Sequence, residues 1–177
     1  QGAPVNPPAK LSSIMNAALT LVIGNRNYSS WSMRPWLLLR QMGIPFKEEM
    51  LKFHSADWER RIGHFSPSHL VPVLWDGEPG ESGSLCVWDT LAIIEYIAER
   101  FPHLPVWPAD RVARARARSV SAEMHSGFRA LRSAMPMNIR SQHPGKGLTA
   151  EAAADIHRIT SLWREMRAQS NGAGPFL

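Results

Sequence analysis

Short apolar runs alternate with longer amphipathic segments along the first hundred residues of the chain. Apolar runs of four to six residues bounded by Gly, Pro or polar clusters predict buried strands. The segments between them space their apolar residues three and four positions apart, which predicts helices. The predicted order is a strand at 20–23, a helix through Trp36 to Arg40, a strand at 46–51, a short helix from 54 to 62, strands at 71–75 and 85–88, and a helix at 91–101. This βαβαββα order predicts a mixed sheet covered by helices, with the last two strands forming an antiparallel hairpin.

Beyond Pro102 the apolar pattern is helical only. One stripe runs from Ala113 to Leu131 and is ended by Pro136, and a second begins near Thr149. Two helices are too few to bury both of their faces, so we expect this helical domain to be incomplete. The predicted domains are a leader at 1–17, an α/β domain at 18–102, a linker at 103–110 and the start of an all-α domain at 111–177.

The leader is Pro-rich and lacks both the basic start and the apolar centre of a signal peptide. We expect it to be a disordered leader or an expression remnant ahead of Met15. The single cysteine, Cys86, excludes a disulfide framework and any C-x-x-C redox or zinc motif. No apolar run reaches the length of a membrane span. These features favour a cytoplasmic protein with no metal and no membrane partner.

The net charge of +5 is concentrated in the second half of the chain. Up to Pro102 there are 9 basic and 10 acidic residues, and beyond it 11 and 5. Arg111, Arg114 and Arg118 share one helical face without the interleaved aromatic residues that a single-strand nucleic-acid platform uses. A solvated helix face explains these arginines better, and we expect no nucleic-acid partner.

Two motifs in the α/β domain predict a ligand site. At Val71-Pro72 a proline opens a buried strand, which suggests an X-Pro peptide in an unusual, even cis, geometry. Such a kink leaves the backbone of Val71 available to a peptide-like ligand. Asp89-Thr90 begins a helix and offers a hydroxyl and free N–H groups to a carboxylate, although the pair equally suits a simple N-cap. Together the motifs predict a site for a small acidic peptide.

These motifs resemble those of the glutathione transferases, and the resemblance runs from about Leu19 to the end of the sequence. The family signature P-x-x-x-V-P-x-L, followed by a strand and by Glu/Asp-Ser/Thr-x-A-I-x-x-Y-I, corresponds here to residues 67–74 and 89–97. The resemblance implies a thioredoxin-like N-terminal domain followed by an all-helical one. It also implies glutathione as co-substrate, a homodimer, and a detoxification reaction with small, largely apolar electrophiles.

The segment from Tyr28 to Trp36 resembles the serine-type members, zeta and tau among them, whose Ser-x-x-x-x-Arg run begins with the active hydroxyl. On this match Ser29 is the catalytic candidate, and Ser30 is the second choice. Lowering a thiol pKa of ~8.5 by about two units requires roughly 2.7 kcal/mol of preferential thiolate stabilisation. A hydroxyl hydrogen bond to the sulfur contributes on the order of 1.5–3 kcal/mol of this. Without the other motifs, either serine would be interpreted simply as a helix N-cap.

The resemblance also assigns the remaining glutathione contacts. Val71 pairs its backbone with the cysteinyl unit, and Pro72 holds that geometry. Thr90 contacts the γ-glutamyl carboxylate, Asp89 lies near its ammonium group, and His69 faces the glycyl carboxylate.

The second substrate is expected over Trp31 and beside Met124, His125 and Phe128. At helical spacing such a stripe fits a core as well as a pocket, and a histidine there is by default a buried or capping one. Cys86 lies within a strand, where a small buried hydrophobe is expected and a nucleophile is not.

Three functions follow from the resemblance. The first is a transferase that conjugates the glutathione thiolate to an electrophilic carbon. The second is a glutathione-dependent isomerase of the maleylacetoacetate type, and the third is a non-catalytic binding protein on the same fold.

Overall fold

The computed structural model describes residues 19–169, so the predicted leader at 1–17 lies outside the described residues. The chain divides into two compact units, one ending at Trp107 and the other beginning at Pro108. This division falls within the predicted linker at 103–110. Two linker residues, Leu104 and Val106, pack against the core of the first unit.

The first unit is a four-stranded mixed sheet with three helices. The elements are β1 (Leu19–Ile23), α1 (Ser30–Gln41), β2 (Phe46–Met50), α2 (Ala56–Phe65), β3 (Val73–Asp76), β4 (Leu85–Trp88) and α3 (Thr90–Arg100). Strand β1 pairs in parallel with β2 and antiparallel with β3, and β3 pairs antiparallel with β4, giving the order β2-β1-β3-β4. The predicted βαβαββα order and the thioredoxin-like layering are confirmed.

Both faces of the sheet are covered, as the continuous apolar sequence of β1 requires. Leu21 and Ile23 face a core that α1 contributes to through Leu39 and α3 through Ile97. On the opposite face Val22 belongs to a second core, which α2 covers with residues such as Ile62 and Phe65.

Strand β3 begins two residues later than predicted. Its pairing with β1 starts at Val73, opposite Val22, so Val71 and Pro72 lie outside the ladder. The physical reason is that proline has no N–H to donate to a neighbouring strand. The Val71-Pro72 peptide bond is cis, which confirms the unusual geometry that the sequence predicts.

A buried carboxylate lies at the end of β3. Asp76 is 2% exposed, and its Oδ2 accepts hydrogen bonds from the Tyr96 hydroxyl and, at 2.7 Å, from the Arg100 Nε. Both donors lie in the second half of α3, so the cluster joins that helix to the sheet. We call Asp76, Tyr96 and Arg100 the Asp76 cluster.

The Asp76 cluster predicts a loss of stability at alkaline pH. Burial, followed by the bond to Asp76, raises the pKa of Tyr96 to about 12 from its ordinary value of 10.0. The folded state therefore holds the phenol proton more tightly than the unfolded chain does. Its contribution is present below pH 10 and is lost as the pH rises towards about 12. Denaturant titrations across this range should show a steeper fall in unfolding free energy for the native protein than for Tyr96→Phe; equal slopes would contradict the assignment.

The second unit consists of helices α4 (Arg111–Ser126), α5 (Arg129–Ala134) and α6 (Ala150–Gln169). The stripe from Ala113 to Leu131, predicted as one helix, is divided between α4 and α5. The break occurs because Gly127 is extended and Phe128 adopts a left-handed conformation with φ 60°. The Arg132 guanidinium donates to the carbonyl oxygens of Gly127 and Met124, which satisfies backbone groups freed at the break.

Helix α6 begins as its pattern predicted, with the Thr149 Oγ1 accepting a hydrogen bond of 3.1 Å from the amide of Ala152. Its apolar residues Ile159 and Leu162 bury against Phe128 to form the core of this unit. Over the part of the chain that the structure describes, no helix combines the length and apolar character that crossing a membrane requires.

Candidate functional site

Two candidate segments that are far apart in the sequence meet in the first unit. The Thr90 hydroxyl, at the start of α3, donates a hydrogen bond of 3.2 Å to the backbone carbonyl of Trp31 in the first turn of α1. Thr90 is 1% exposed, so this bond is shielded from water. The bond places the Asp89-Thr90 motif beside the segment that carries Ser29 and Ser30.

Ser29 is the N-cap of α1, and its side chain is almost fully enclosed. Its Oγ accepts a bond of 3.3 Å from the amide of Ser32 and lies 2.8 Å from the Ser32 Oγ, to which it donates. The Ser32 Oγ in turn accepts a bond of 3.1 Å from the amide of Gly24, at the end of β1. Ser29 is 6% exposed and Ser32 is 2% exposed. This buried pair is the polar centre of the segment.

Ser30, the second catalytic candidate, is the first residue of α1 and is half-buried. Its amide donates 3.2 Å to the carbonyl oxygen of Tyr28, and the amide of Ser29 donates 2.9 Å to that of Asn25. The loop before α1 is also fastened to β2, because Glu48 binds the Arg26 guanidinium. The sequence therefore places both serines on a braced turn, and only Ser29 caps the helix.

A single buried serine organises the loop that leads to the cis peptide. The Ser66 Oγ donates 2.7 Å to the carbonyl of Leu70 and accepts 3.2 Å from its amide. Ser66 is 1% exposed, and Pro72 is buried while Val71 is half-buried. Sequence reasoning did not single out Ser66. A signal was present in Ser66-Pro67-Ser68, because serines beside a proline favour turns closed by their hydroxyls.

His69 lies on this loop with a left-handed backbone, φ 56°, and is exposed. Its ring is close to α2, since a Cβ built on Gly63 would lie 3.3 Å from the His69 Cε1. Its contact with a ligand remains a prediction.

Asp89 has the least ordinary backbone of the predicted site residues, with φ 77° and ψ 140°. A left-handed φ at a non-glycine residue costs on the order of 1–3 kcal/mol, and such residues cluster at functional sites. The carboxylate is exposed, and its Oδ1 accepts a hydrogen bond of 2.9 Å from the amide of Leu91. Asp89 is thus the N-cap of α3, and its carboxylate remains accessible to solvent.

The residues predicted to contact the second substrate fall into different units. Trp31 belongs to the first unit, where the Arg34 guanidinium lies 4.4 Å from the centre of its ring. In the second unit Phe128 is 8% exposed and lies in the core, with Met124 packed against that core. His125 is half-buried in the last turn of α4. The role of these four residues in a substrate pocket remains a prediction.

Cys86 lies in β4, packs against the core that α2 covers, and is half-buried. Burial raises the pKa of its thiol, which disfavours the reactive thiolate. Within residues 19–169 no three His, Cys, Asp or Glu side chains are grouped so that they could hold a metal ion.

Comparison with known proteins shows what this part of the chain is similar to. Residues 28–100 match the family model described as the glutathione S-transferase N-terminal domain. The chain is 31% identical over 107 residues to a probable maleylacetoacetate isomerase of Caenorhabditis elegans, covering 60% of this chain and 46% of that protein. It is 38% identical over 93 residues to a probable maleylacetoacetate isomerase of Vibrio cholerae, covering 50% and 39%. The chain thus spans less than half the length of these curated relatives.

Solved structures share the fold. A maleylacetoacetate isomerase from Anaeromyxobacter dehalogenans, with bound dicarboxyethyl glutathione and citrate, matches with a TM-score of 0.60 and 24% identity, over 91% of this chain and 72% of that one. A glutathione transferase homolog from Burkholderia with bound glutathione matches with a TM-score of 0.59 and 23% identity, over 84% and 67%. The N-cap serine, the cis Val-Pro bond and the Asp-Thr helix start all lie within residues 28–100, the segment that the family model matches. Residues 28–100 of this chain are thus similar to the N-terminal domain of the glutathione S-transferases.

Proposed function

We propose that the protein is a glutathione-dependent enzyme in which the Ser29 hydroxyl stabilises the glutathione thiolate, which then attacks a small, largely apolar electrophile. The observation that carries this proposal is the bond from Thr90 to Trp31. It joins the start of α3, which the exposed Asp89 caps, to the first turn of α1, which the buried Ser29 caps. The similarity to glutathione S-transferases suggests that this arrangement binds and ionises the thiol of glutathione.

The chemistry depends on ionising a thiol near neutral pH. A free thiol with a pKa of ~8.5 is only a few per cent thiolate at pH 7. A hydroxyl that donates to the sulfur favours the charged form by on the order of 1.5–3 kcal/mol, and the positive end of α1 adds ~0.3–1 kcal/mol. Together these contributions correspond to a pKa decrease of roughly one to three units, and neither requires a protein base.

The proposed ligand contacts follow the order of the tripeptide. The Val71 backbone pairs with the cysteinyl unit beside Pro72, and Asp89 and Thr90 receive the γ-glutamyl end. His69 is proposed for the glycyl carboxylate. The Thr90 hydroxyl already donates its hydrogen to the carbonyl of Trp31, so a bridging donor would be needed between its oxygen and a carboxylate. The backbone amides at the start of α3 are the more direct partners of the γ-glutamyl carboxylate.

An isomerase activity is the second candidate, and both curated relatives favour it by their names. In such a reaction the thiolate adds to one carbon of a conjugated double bond, rotation occurs about the resulting single bond, and elimination returns the thiolate. No atom is gained or lost, and the same Ser29 hydroxyl would serve both steps. A binding protein that keeps the peptide site without activating the thiol is the third candidate. A homodimer, a cytoplasmic location and a role in detoxification belong to the same proposal.

A pH titration of bound glutathione tests the central claim. The ultraviolet absorbance of the thiolate should rise with a midpoint at least one pH unit below that of free glutathione. A midpoint equal to that of the free tripeptide would refute the enzyme and leave a binding protein. Incubation with a cis-configured unsaturated diketo acid, followed by product analysis, then separates isomerisation from stable conjugation.

Asp89→Asn is expected to weaken glutathione binding about tenfold, because a hydrogen bond to a charged group contributes about 1.5 kcal/mol. Asparagine keeps the N-cap of α3, so the loss would report on the ammonium contact. Calorimetric titration measures the dissociation constant.

The matched control is Asp110→Asn. Asp110 caps α4 in the same way, accepting 2.8 Å from the amide of Ala113, but lies outside the proposed site. A glutathione analogue without its α-amino group should bind the native protein and Asp89→Asn equally. If Asp89→Asn weakened both ligands alike, the carboxylate would not contact the ammonium.

A further inference from the structure

Ser32 is the residue in the first unit whose environment the family chemistry leaves unexplained. It lies in the first turn of α1, is 2% exposed, and turns its hydroxyl towards the sheet. The bond to the Gly24 amide alone would be a purely structural reason for a buried serine at this position. The contact with Ser29 points to a second role.

The Ser32 Oγ stands between a fixed donor and the candidate catalytic hydroxyl. It accepts 3.1 Å from the Gly24 amide and lies 2.8 Å from the Ser29 Oγ. The Gly24 amide belongs to the end of β1, and the Phe53 ring packs so closely there that a Cβ built on Gly24 would lie 2.2 Å from the ring. The donor therefore lies in a closely packed place, and its bond holds the Ser32 oxygen.

The Ser29 hydroxyl donates to the Ser32 Oγ. If a thiolate lies at the start of α1, the Ser29 hydroxyl rotates and donates its hydrogen bond to the sulfur. A lone pair of the Ser29 Oγ then faces Ser32 and can accept a hydrogen bond from it. The Ser32 hydroxyl, 2.8 Å away, can then rotate and donate to it. Only two hydrogen atoms rotate, no heavy atom moves, and no proton is transferred.

We propose that Ser32 is a positioning residue that completes a chain of donors running from the Gly24 amide through the Ser32 and Ser29 hydroxyls to the glutathione sulfur. Hydrogen bonds in such a chain polarise one another, so each donor strengthens the next. The inference rests on the proposed function, since it requires glutathione at the start of α1.

Ser32→Ala is the test. We expect the midpoint of thiolate formation in the bound complex to move towards that of free glutathione, and kcat/KM at neutral pH to fall roughly three- to tenfold. The affinity for S-methylglutathione, which has no ionisable thiol, should not change. Ser32→Thr keeps the hydroxyl and should restore the midpoint; Ser32→Cys, a weaker donor of similar size, should fall between the two.

The coupling between the two serines is the decisive measurement. In a Ser29→Ala background, Ser32→Ala should cause no further change in the thiolate midpoint, because the chain is already interrupted. An unchanged midpoint in Ser32→Ala alone, an equal shift in both backgrounds, or an equal loss of S-methylglutathione affinity would each overturn the inference. If the native protein itself left the thiol midpoint at that of free glutathione, the proposed function would fail first.

Discussion

Replacing Ser29 by alanine is expected to lower kcat/KM for conjugation at neutral pH by about 10- to 150-fold, which is the loss of a charged hydrogen bond worth about 1.5–3 kcal/mol. In the proposed function this hydroxyl donates to the sulfur, and it caps α1 beside the start of α3. The defect should be largest below the thiol midpoint of the native complex. It should shrink above pH ~8.5, where the free thiol ionises without assistance. Stopped-flow assays across this pH range measure it, with glutathione binding followed separately.

Ser29→Ala also removes a helix cap, which alone costs about 0.5–2 kcal/mol of stability. Ser55→Ala is the matched control, because Ser55 caps α2 in the same way and accepts 3.1 Å from the Trp58 amide. Both variants should lose similar stability, and only Ser29→Ala should lose activity. If Ser30→Ala were the defective variant and Ser29→Ala retained full activity, the catalytic hydroxyl would be that of Ser30.

Arg100→Met is expected to lower the unfolding free energy of the protein by about 3–5 kcal/mol. Arg100 compensates the charge of Asp76, whose side chain is fully buried. Among the described residues Asp76 Oδ1 has no hydrogen-bond partner, so the carboxylate depends on the two donors to its other oxygen. Methionine keeps most of the apolar stem of Arg100, so the loss of stability comes mainly from the buried Asp76 charge that is left uncompensated. Chemical denaturation measures the difference.

Arg60→Met is the control for this experiment. Arg60 lies 3.5 Å from Asp57 on the exposed surface of α2, and such a pair is worth about 0–1 kcal/mol. The double variant Asp76→Asn/Arg100→Met should recover part of the stability lost in Arg100→Met, because the neutral amide no longer needs a cation. A small effect of Arg100→Met, comparable with that of Arg60→Met, would show that water reaches Asp76.

Apolar periodicity predicted the strands and helices of the first unit because those patterns depend on local sequence. It failed at two points where a single residue decides the outcome. Pro72 removes a ladder donor and delays β3, and the left-handed Phe128 divides a stripe that looks continuous. A phenylalanine in that conformation is stabilised by packing against Ile159 and Leu162, which lie about thirty residues further along the chain. Local pattern contains no information about such a contact.

The candidate site residues were chosen from motifs, whereas the sequence does not identify residues whose role depends on tertiary contacts. Ser29, Val71-Pro72 and Asp89-Thr90 are visible as motifs. The roles of Ser66 and Asp76 depend on their burial, and the sequence does not reveal that these polar residues are buried. Asp76, in particular, follows Trp75 at the start of a turn-forming run and resembles an ordinary turn residue.

Helix α3 is held at both ends by side chains buried beneath it. Thr90 joins its first residue to α1, and the Asp76 cluster joins its last turn to the sheet. We expect a helix anchored in this way to fray little at either terminus, so that its amide hydrogens exchange with solvent about as slowly as those of the sheet. On this expectation the backbone at Asp89 is as persistent as the sheet, and the proposed binding of a ligand there would cost the protein little conformational entropy.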